Sequence, residues 1–385
     1  MIYRLLSLLM ILFLSSCLGP DDPAELRAVR AEKATGDILI GAVAPWASLD
    51  VMLWEGIEMA VEEINVAGGI LDRRIRIIKR DDKDIVRKGV IIAQEYAENP
   101  DMVAIIGHYE SFVTMSASVV YQYYGILLLS TAATAPELTR EGFSLIFRMV
   151  PDDTIYGKKL AKFCLKHRYK RILVFQQITP AGRDLANAFV IAALEMGIEI
   201  LYRQEYDFFT TENDFQRLLL RANERYRFDA ILLTGQLAQS GTFIDIAREM
   251  GIEKPIIGGL DLERAELLEM VGPKVSNIFL PTTFNPDSAE KRVRRFVEAF
   301  KRRYGKVPDT QAAQAYDTVH TLAYAIKQAG CTAPPKMAEA LYSVKGLEGM
   351  TGPISFDAQG NRLGTNIAIK VIKNGRFEYL PYEDE

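Results

Sequence analysis

Short apolar runs alternate with amphipathic helical patterns along most of this chain, and that rhythm limits what it can fold into. "DILIGAVAP" reads as a strand ending at Pro45. "LWEGIEMAVEEINVAGG" follows with Ile57, Ala60, Val61 and Ile64 at helical spacing, closed by Gly68 and Gly69. "RRIRIIKRDD" alternates as a strand does, "KGVIIAQEYAENP" is helical, and "MVAIIG" is a buried strand. "FVTMSASVVYQYYG" and "ILLLSTA" repeat the pair. The rhythm restarts at "YGKKLAKFCLKHRY" and runs through "RILVF", "GRDLANAFVIAALEMG", "EILYRQEY", "DFQRLLLRANERY", "DAILLTG", "SGTFIDIAREMG" and "KPIIGG". Continuous apolar strands separated by amphipathic helices predict parallel sheets covered on both faces. Two such runs predict an α/β protein of two doubly wound parallel-sheet lobes, and 385 residues are too many for one small core. The turn-rich "FRMVPDD", Phe147 to Asp153, marks the boundary. Two long helical patterns after "IFLPTTFNP", then "PISFDAQGN" and "NIAIKVIKNGRFEYL", complete the chain.

Two strands end in the same way. "GILLLSTAATAPEL" runs from four apolar residues into Ser130, Thr131, Ala132, Ala133 and Thr134, and "MVAIIGHYES" brings Gly107 and Ser111 to the start of a helix. In open parallel sheets ligands bind beyond the carboxyl ends of the strands. Small side chains there let a ligand approach the backbone. A hydroxyl at a helix N-terminus favours an anion such as a carboxylate. Capping alone would also use Ser111 and Thr134; two such ends in one sheet favour a site.

The first residues, "MIYRLLSLLMILFLSSC", combine Arg4, an apolar run from Leu5 to Leu14 and a small-residue approach to Cys17. They predict a signal peptide over residues 1–16 and, from the lipobox-like Leu14-Ser15-Ser16-Cys17, lipidation of Cys17. Residues 17–36 then read as a polar tether from the lipid anchor. Cys164 and Cys331 remain, and their spacing argues for free or buried thiols rather than a bridge. Cys164 with His167 is a weak metal pair without a second pair at ligand spacing. The net charge of 46 − 50 = −4 lacks the basic footprint of a nucleic-acid binder. No nucleophile elbow, P-loop, dinucleotide fingerprint or zinc-protease motif occurs, so no enzyme and no cofactor is expected. Of three histidines, His108 follows a strand end and is expected as a loop imidazole at a cleft rim.

"GIEMAVEEINVAGGILDRRIRIIKRDD", "IIGHYES", "GILLLSTAATAPELT" and "FRMVPDD" resemble the leucine/isoleucine/valine-binding protein family over roughly residues 36–380. These are extracytoplasmic solute-binding proteins of ABC importers with the type I periplasmic-binding fold. The resemblance implies two lobes joined by a three-crossover hinge: residues 37–150 and 281–361 in lobe 1, residues 151–280 and 362–385 in lobe 2. It implies that Ser111 and Thr134 hold an α-carboxylate and that Ala132, beside Ala133, offers a carbonyl to an α-amine. In lobe 2 the family's binding tyrosines fall at Ala181 and Gln236. The acid that meets the ammonium falls at Asp261, or at Leu260 in an ungapped alignment. The shorter first loop leaves open which of Trp46, Leu49 and Trp54 meets the ligand. The implied function is binding of an amino acid, or a similar small carboxylate or amide, for delivery to ABC permease subunits. The implied place is the extracytoplasmic face of the membrane. The alternative is a lipid-anchored sensor that presents its ligand to a membrane receptor.

Overall fold

The computed structural model describes residues 22–272 and 275–380; the signal-peptide and Cys17 expectations lie outside them. Strands β1 (Ile38–Ala44), β2 (Ile75–Asp81), β3 (Met102–Ile106), β4 (Leu127–Ser130) and β5 (Ile146–Arg148) form a parallel sheet in the order β2-β1-β3-β4-β5. Side chains on successive positions enter opposite faces, as the pleat requires. Leu127 and Leu129 pack into the core with Ile40, Val103 and Phe147, whereas Leu128 packs into the core with Ile105, Tyr121 and Ile146. Each such side chain stabilises the sheet by roughly 1.5–3 kcal/mol. "FRMVPDD" is thus partly strand: Ile146–Arg148 pairs with β4, and the turn is confined to the residues after it.

The second sheet has seven strands in the order β15-β14-β10-β9-β8-β6-β7. β6 (Arg171–Gln177), β7 (Glu199–Tyr206), β8 (Ala230–Thr234), β9 (Ile256–Gly258) and β10 (Ile278–Thr282) are parallel. A small antiparallel sheet, β11 (Leu347–Gly349), β12 (Gly352–Phe356) and β13 (Arg362–Leu363), follows β10 in sequence. β14 (Ala368–Lys373) and β15 (Arg376–Tyr379) add antiparallel to the edge of the second sheet. The period-2 pattern recurs: Leu173, Phe175, Ile231 and Leu233 face one core, Ile172, Val174, Ala230 and Leu232 the other. Helices Lys291–Tyr304, Thr310–Ala329 and Pro334–Ser343 return to the first lobe, where Phe296, Ala312, Val319 and Met337 are buried. The protein is therefore an α/β molecule of two parallel-sheet lobes, and the chain crosses between them after β5, after β10 and before β14.

Helix Leu53–Val66 crosses Thr310–Ala329 at Gly56, where a Cβ would stand 2.2 Å from the Ala312 carbonyl oxygen. Only glycine permits that approach.

Residues 22–36 are not a free tether. Asp22 caps a helix, Pro23–Glu32, with proline in its first turn. Arg27 fixes this helix to lobe 1 by donating to the carbonyls of Tyr124 (2.7 Å), Asn99 (2.7 Å), Met102 (2.8 Å) and Ala97 (2.6 Å). Cys164 and Cys331 are free and buried, and among the described residues no cluster of His, Cys, Asp and Glu is arranged to hold a metal.

Candidate functional site

The carboxyl ends of both parallel sheets open onto one cavity of about 60 Å³ between the lobes. At roughly 10–15 Å³ for a single water, that space suits a small solute. Lobe 1 contributes Tyr109, Glu110, Ser111, Ala132 and Thr134, and lobe 2 contributes Ala181, Thr234, Gly235, Leu260, Asp261 and Glu263. The crossovers and the returning helix add Asp153, Thr310, Gln311 and Gln314.

On lobe 1, Gly107 turns the chain out of β3 with φ +133°; a Cβ there would meet the Val43 carbonyl oxygen at 2.1 Å. The turn delivers Ser111 as the first residue of helix Ser111–Tyr123. Thr134 and Ala135 donate their N–H groups to Ser111 Oγ at 3.1 and 3.2 Å. A serine hydroxyl has two acceptor lone pairs and one proton. With both lone pairs engaged, Ser111 has its proton left to donate, on the wall of the cavity. Ser130 Oγ accepts from Ala133 N–H at 3.2 Å, so the hydroxyls after β4 close the turn as well as line it. Beneath the turn lies Arg148, fully buried, which donates to the Ala135 carbonyl (2.7 Å) and to Thr139 Oγ1 (3.0 Å). Burial pulls its pKa down.

Thr134 Oγ1 donates to Asp153 Oδ2 at 3.1 Å, and Asp153 N–H returns a bond to the Thr134 carbonyl at 3.0 Å. Asp153 is 2 % exposed, and burial pushes its carboxyl up to about 8 against the Thr134 hydrogen bond. Glu110 stands at the N-cap of helix Ser111–Tyr123, but its side chain makes no capping bond. Burial, then Asp261 and Asp84, push it up to about 8. Asp261, in the turn after β9, is likewise raised by burial, with Arg264 opposing. Glu263 is paired with Lys370 at 2.8 Å and accepts from Thr282 Oγ1 (2.6 Å) and from Thr310 Oγ1, which links lobe 2 to the returning helix of lobe 1.

Of the residues expected at the site, Ser111, Ala132, Thr134, Ala181 and Asp261 come together on this cavity, as does the alternative Leu260. Ala133 does not line it: at 1 % exposure it packs into the lobe 1 core. Gln236 does not line it either. It caps helix Leu237–Glu249, its N–H donating to Gln177 Oε1 at 2.7 Å, and Gly235 takes the wall position. Trp46 and Trp54 clasp Lys79, whose ammonium lies 4.4 and 4.0 Å from their ring centroids, away from the cavity wall. Leu49 packs against the lobe 1 core. His108 is not at a rim: it is fully buried, with Nδ1 2.6 Å from Asp82 and Nε2 3.0 Å from the Tyr121 hydroxyl. Tyr109, Glu110, Asp153, Glu263 and Gln314 escaped sequence reasoning. Glu110 had one usable signal, its place directly before Ser111.

Residues 39–376 match the profile of a periplasmic binding protein family. Among curated relatives, Leu/Ile/Val-binding protein homolog 1 of Brucella abortus is 28 % identical over 90 % of this chain and 94 % of its own length. An ABC transporter substrate-binding protein from Desulfitobacterium hafniense, solved in complex with Leu, is 35 % identical with a TM-score of 0.81, covering 89 % of this chain and 100 % of that one. The branched-chain amino acid transporter substrate-binding protein of Streptococcus pneumoniae, solved with isoleucine, is 27 % identical with a TM-score of 0.80, covering 89 % and 98 %. This chain belongs to the periplasmic binding protein family, among the solute-binding proteins related to the Leu/Ile/Val binders.

Proposed function

We propose that this protein captures an α-amino acid between its lobes and delivers it to the permease of an ABC importer. The observation that carries the reading is the small cavity to which lobe 1 brings Ser111, Ala132 and Thr134 and lobe 2 brings Ala181 and Asp261. Ser111 O–H and the start of its helix receive the α-carboxylate; the Ala132 carbonyl and Asp261 receive the α-ammonium. Asp153 sets the donor state of Thr134. A carboxyl with its pKa near 8 is largely neutral at pH 7, and then has a proton to give. Donating it to Thr134 Oγ1 frees the threonine proton for the ligand carboxylate. An ionised Asp153 would hold that proton and repel the anion. Closing the lobes around the solute is a hinge motion, and the Glu263–Thr310 bond is a contact such closure makes. The family relationship and the relatives solved with leucine and isoleucine support an amino-acid ligand.

Export, cleavage before Cys17 and lipidation of Cys17 belong to the same proposal and rest on the lipobox-like sequence. The short segment between Cys17 and the docked helix at Pro23 then holds lobe 1 close to the membrane.

A thermal-shift screen of the soluble domain against amino acids, amides and short carboxylates tests the binding reading. A ligand at a hundred times its Kd adds about 2.7 kcal/mol to stability, which raises the melting temperature. No shift from any α-amino acid at millimolar concentration sinks it. For the anchor, a Cys17→Ser protein that still partitions wholly with membranes after processing overturns the lipidation.

A further inference from the structure

We infer that the solute carries a cationic group besides its α-ammonium, and so is a basic amino acid with a side-chain amine or guanidinium. The inference rests on the amino-acid reading above and deepens it. Glu110 from lobe 1 and Asp261 from lobe 2 both line the cavity, and among the described residues neither carboxylate takes part in a hydrogen bond or a close ion pair. Glu263, a third acid on the wall, has its own cation in Lys370 at 2.8 Å. Arg264 is the cation beside Tyr109, Glu110 and Asp261. Glu110 and Asp261 therefore share one arginine that pairs closely with neither. With no cation at hand Glu110, raised to about 8, stays largely protonated at pH 7. A neutral zwitterion leaves it so; a ligand with one extra positive charge lets both carboxyls ionise, each against a cation, which removes the cost of an uncompensated charge in the closed site.

A second observation points the same way. Gln314 is 3 % exposed on the cavity wall; its Nε2 donates to Thr283 at 2.9 Å, but its Oε1 has no partner. One turn earlier on the same helix, Gln311 Oε1 is also buried without a partner. Buried acceptors are normally satisfied. With Asp261 assigned to the α-ammonium, the wall still offers the Glu110 carboxyl and two amide oxygens beyond that acceptor set, and what satisfies them is a ligand rich in N–H donors.

Lysine and norleucine have nearly the same shape and differ in the terminal amine, which makes them the decisive pair. Calorimetry on the mature domain should find L-lysine or L-arginine binding at least about ten-fold tighter than L-norleucine, the lower end for a hydrogen bond to a charged group. Glu110→Gln should bring the ratio close to one. The inference is overturned, with the amino-acid reading intact, if norleucine or leucine binds as tightly as both basic amino acids. It is overturned equally if Glu110→Gln weakens norleucine and the basic ligands by the same factor. If no amino acid binds at all, both readings fail together.

Discussion

Asp153 gives the structure its sharpest quantitative test. Its carboxyl is pushed from an ordinary 3.8 to about 8, chiefly by burial, with Asp184 and Asp152 adding to the shift and Thr134 and Arg148 opposing it. The folded state therefore holds this proton more tightly than the unfolded chain does. Its contribution to stability is complete below about pH 4 and is lost as pH rises towards 8. Through that window the slope is at most about 1.4 kcal/mol per pH unit, so the whole effect is on the order of 6 kcal/mol. The substitution Asp153→Asn removes the titrating proton and keeps, in its amide N–H, a donor for Thr134 Oγ1. Glu110 and Asp84 are also raised, to about 8 and about 6, but they are present in both proteins and cancel in the comparison.

The assay is urea unfolding of wild type and Asp153→Asn at several pH values from 5 to 8. Wild type should lose stability relative to the variant as pH rises, by several kcal/mol across the series. The amino-acid affinity of wild type should fall as pH passes 8, while that of the variant holds. A stability difference that stays flat from pH 5 to 8 would show that Asp153 is ionised throughout, and would refute both the burial argument and its proposed part in setting the Thr134 proton.

Ser111→Ala leaves two buried N–H groups unpaired at about 1–3 kcal/mol each, so calorimetry should show a lowered melting temperature together with amino-acid binding weakened about 10- to 150-fold; wild-type affinity would reduce Ser111 to a turn brace. Gly56→Ala forces a methyl towards the Ala312 carbonyl and should lower the urea midpoint by the equivalent of about 1–3 kcal/mol; an unchanged midpoint would mean that the two helices slide apart freely. Arg27→Ala removes every side-chain bond that fixes the N-terminal helix to the carbonyls beneath it. Amide hydrogen exchange over residues 23–32 should then accelerate while β3 and β4 remain protected, and unchanged exchange would show that the other ties, Arg30 to Asp101, Lys336 to Glu32 and Thr332 Oγ1 to the Ala31 carbonyl, suffice.

The two sheets were legible because a strand buried on both faces needs apolar residues on both, so runs such as "ILLL" and "AILL" leave no polar face to misread. Ile126 through Leu129 and Ala230 through Leu233 are the plainest cases, each fully buried. The N-terminal helix was not legible by that signal. It is held by Arg27 reaching into carbonyls rather than by an apolar stripe, so its polar sequence read as a tether. The Asp22-Pro23 pair was a usable start signal, since Asp caps and proline suits the first turn.

Ligand-facing residues follow a different logic. Where a strand ends, period 2 ends too, and the direction of each side chain is set by turn dihedrals that residue type constrains weakly. Ala132 and Ala133 are chemically identical neighbours, yet the first lines the cavity and the second packs into the core. Gln236 falls where the family resemblance implied a ligand contact, but its backbone is drawn to Gln177 and its neighbour Gly235 forms the wall. Charge gave no signal. Nothing local singles out Asp153 in "VPDD" or Glu110 in "HYES", and acids are seldom buried without a partner. Here the crossover seals one against Thr134 and the second lobe covers the other. Neither cover is local in sequence. A pocket formed only where two lobes meet takes its electrostatics from pairs such as Glu110 and Asp261, about 150 residues apart in a chain whose strand pattern is readable within about ten. That is why the fold and the place of the site could be read from the strands, while the charge the site selects for could be argued only once the lobes were seen together.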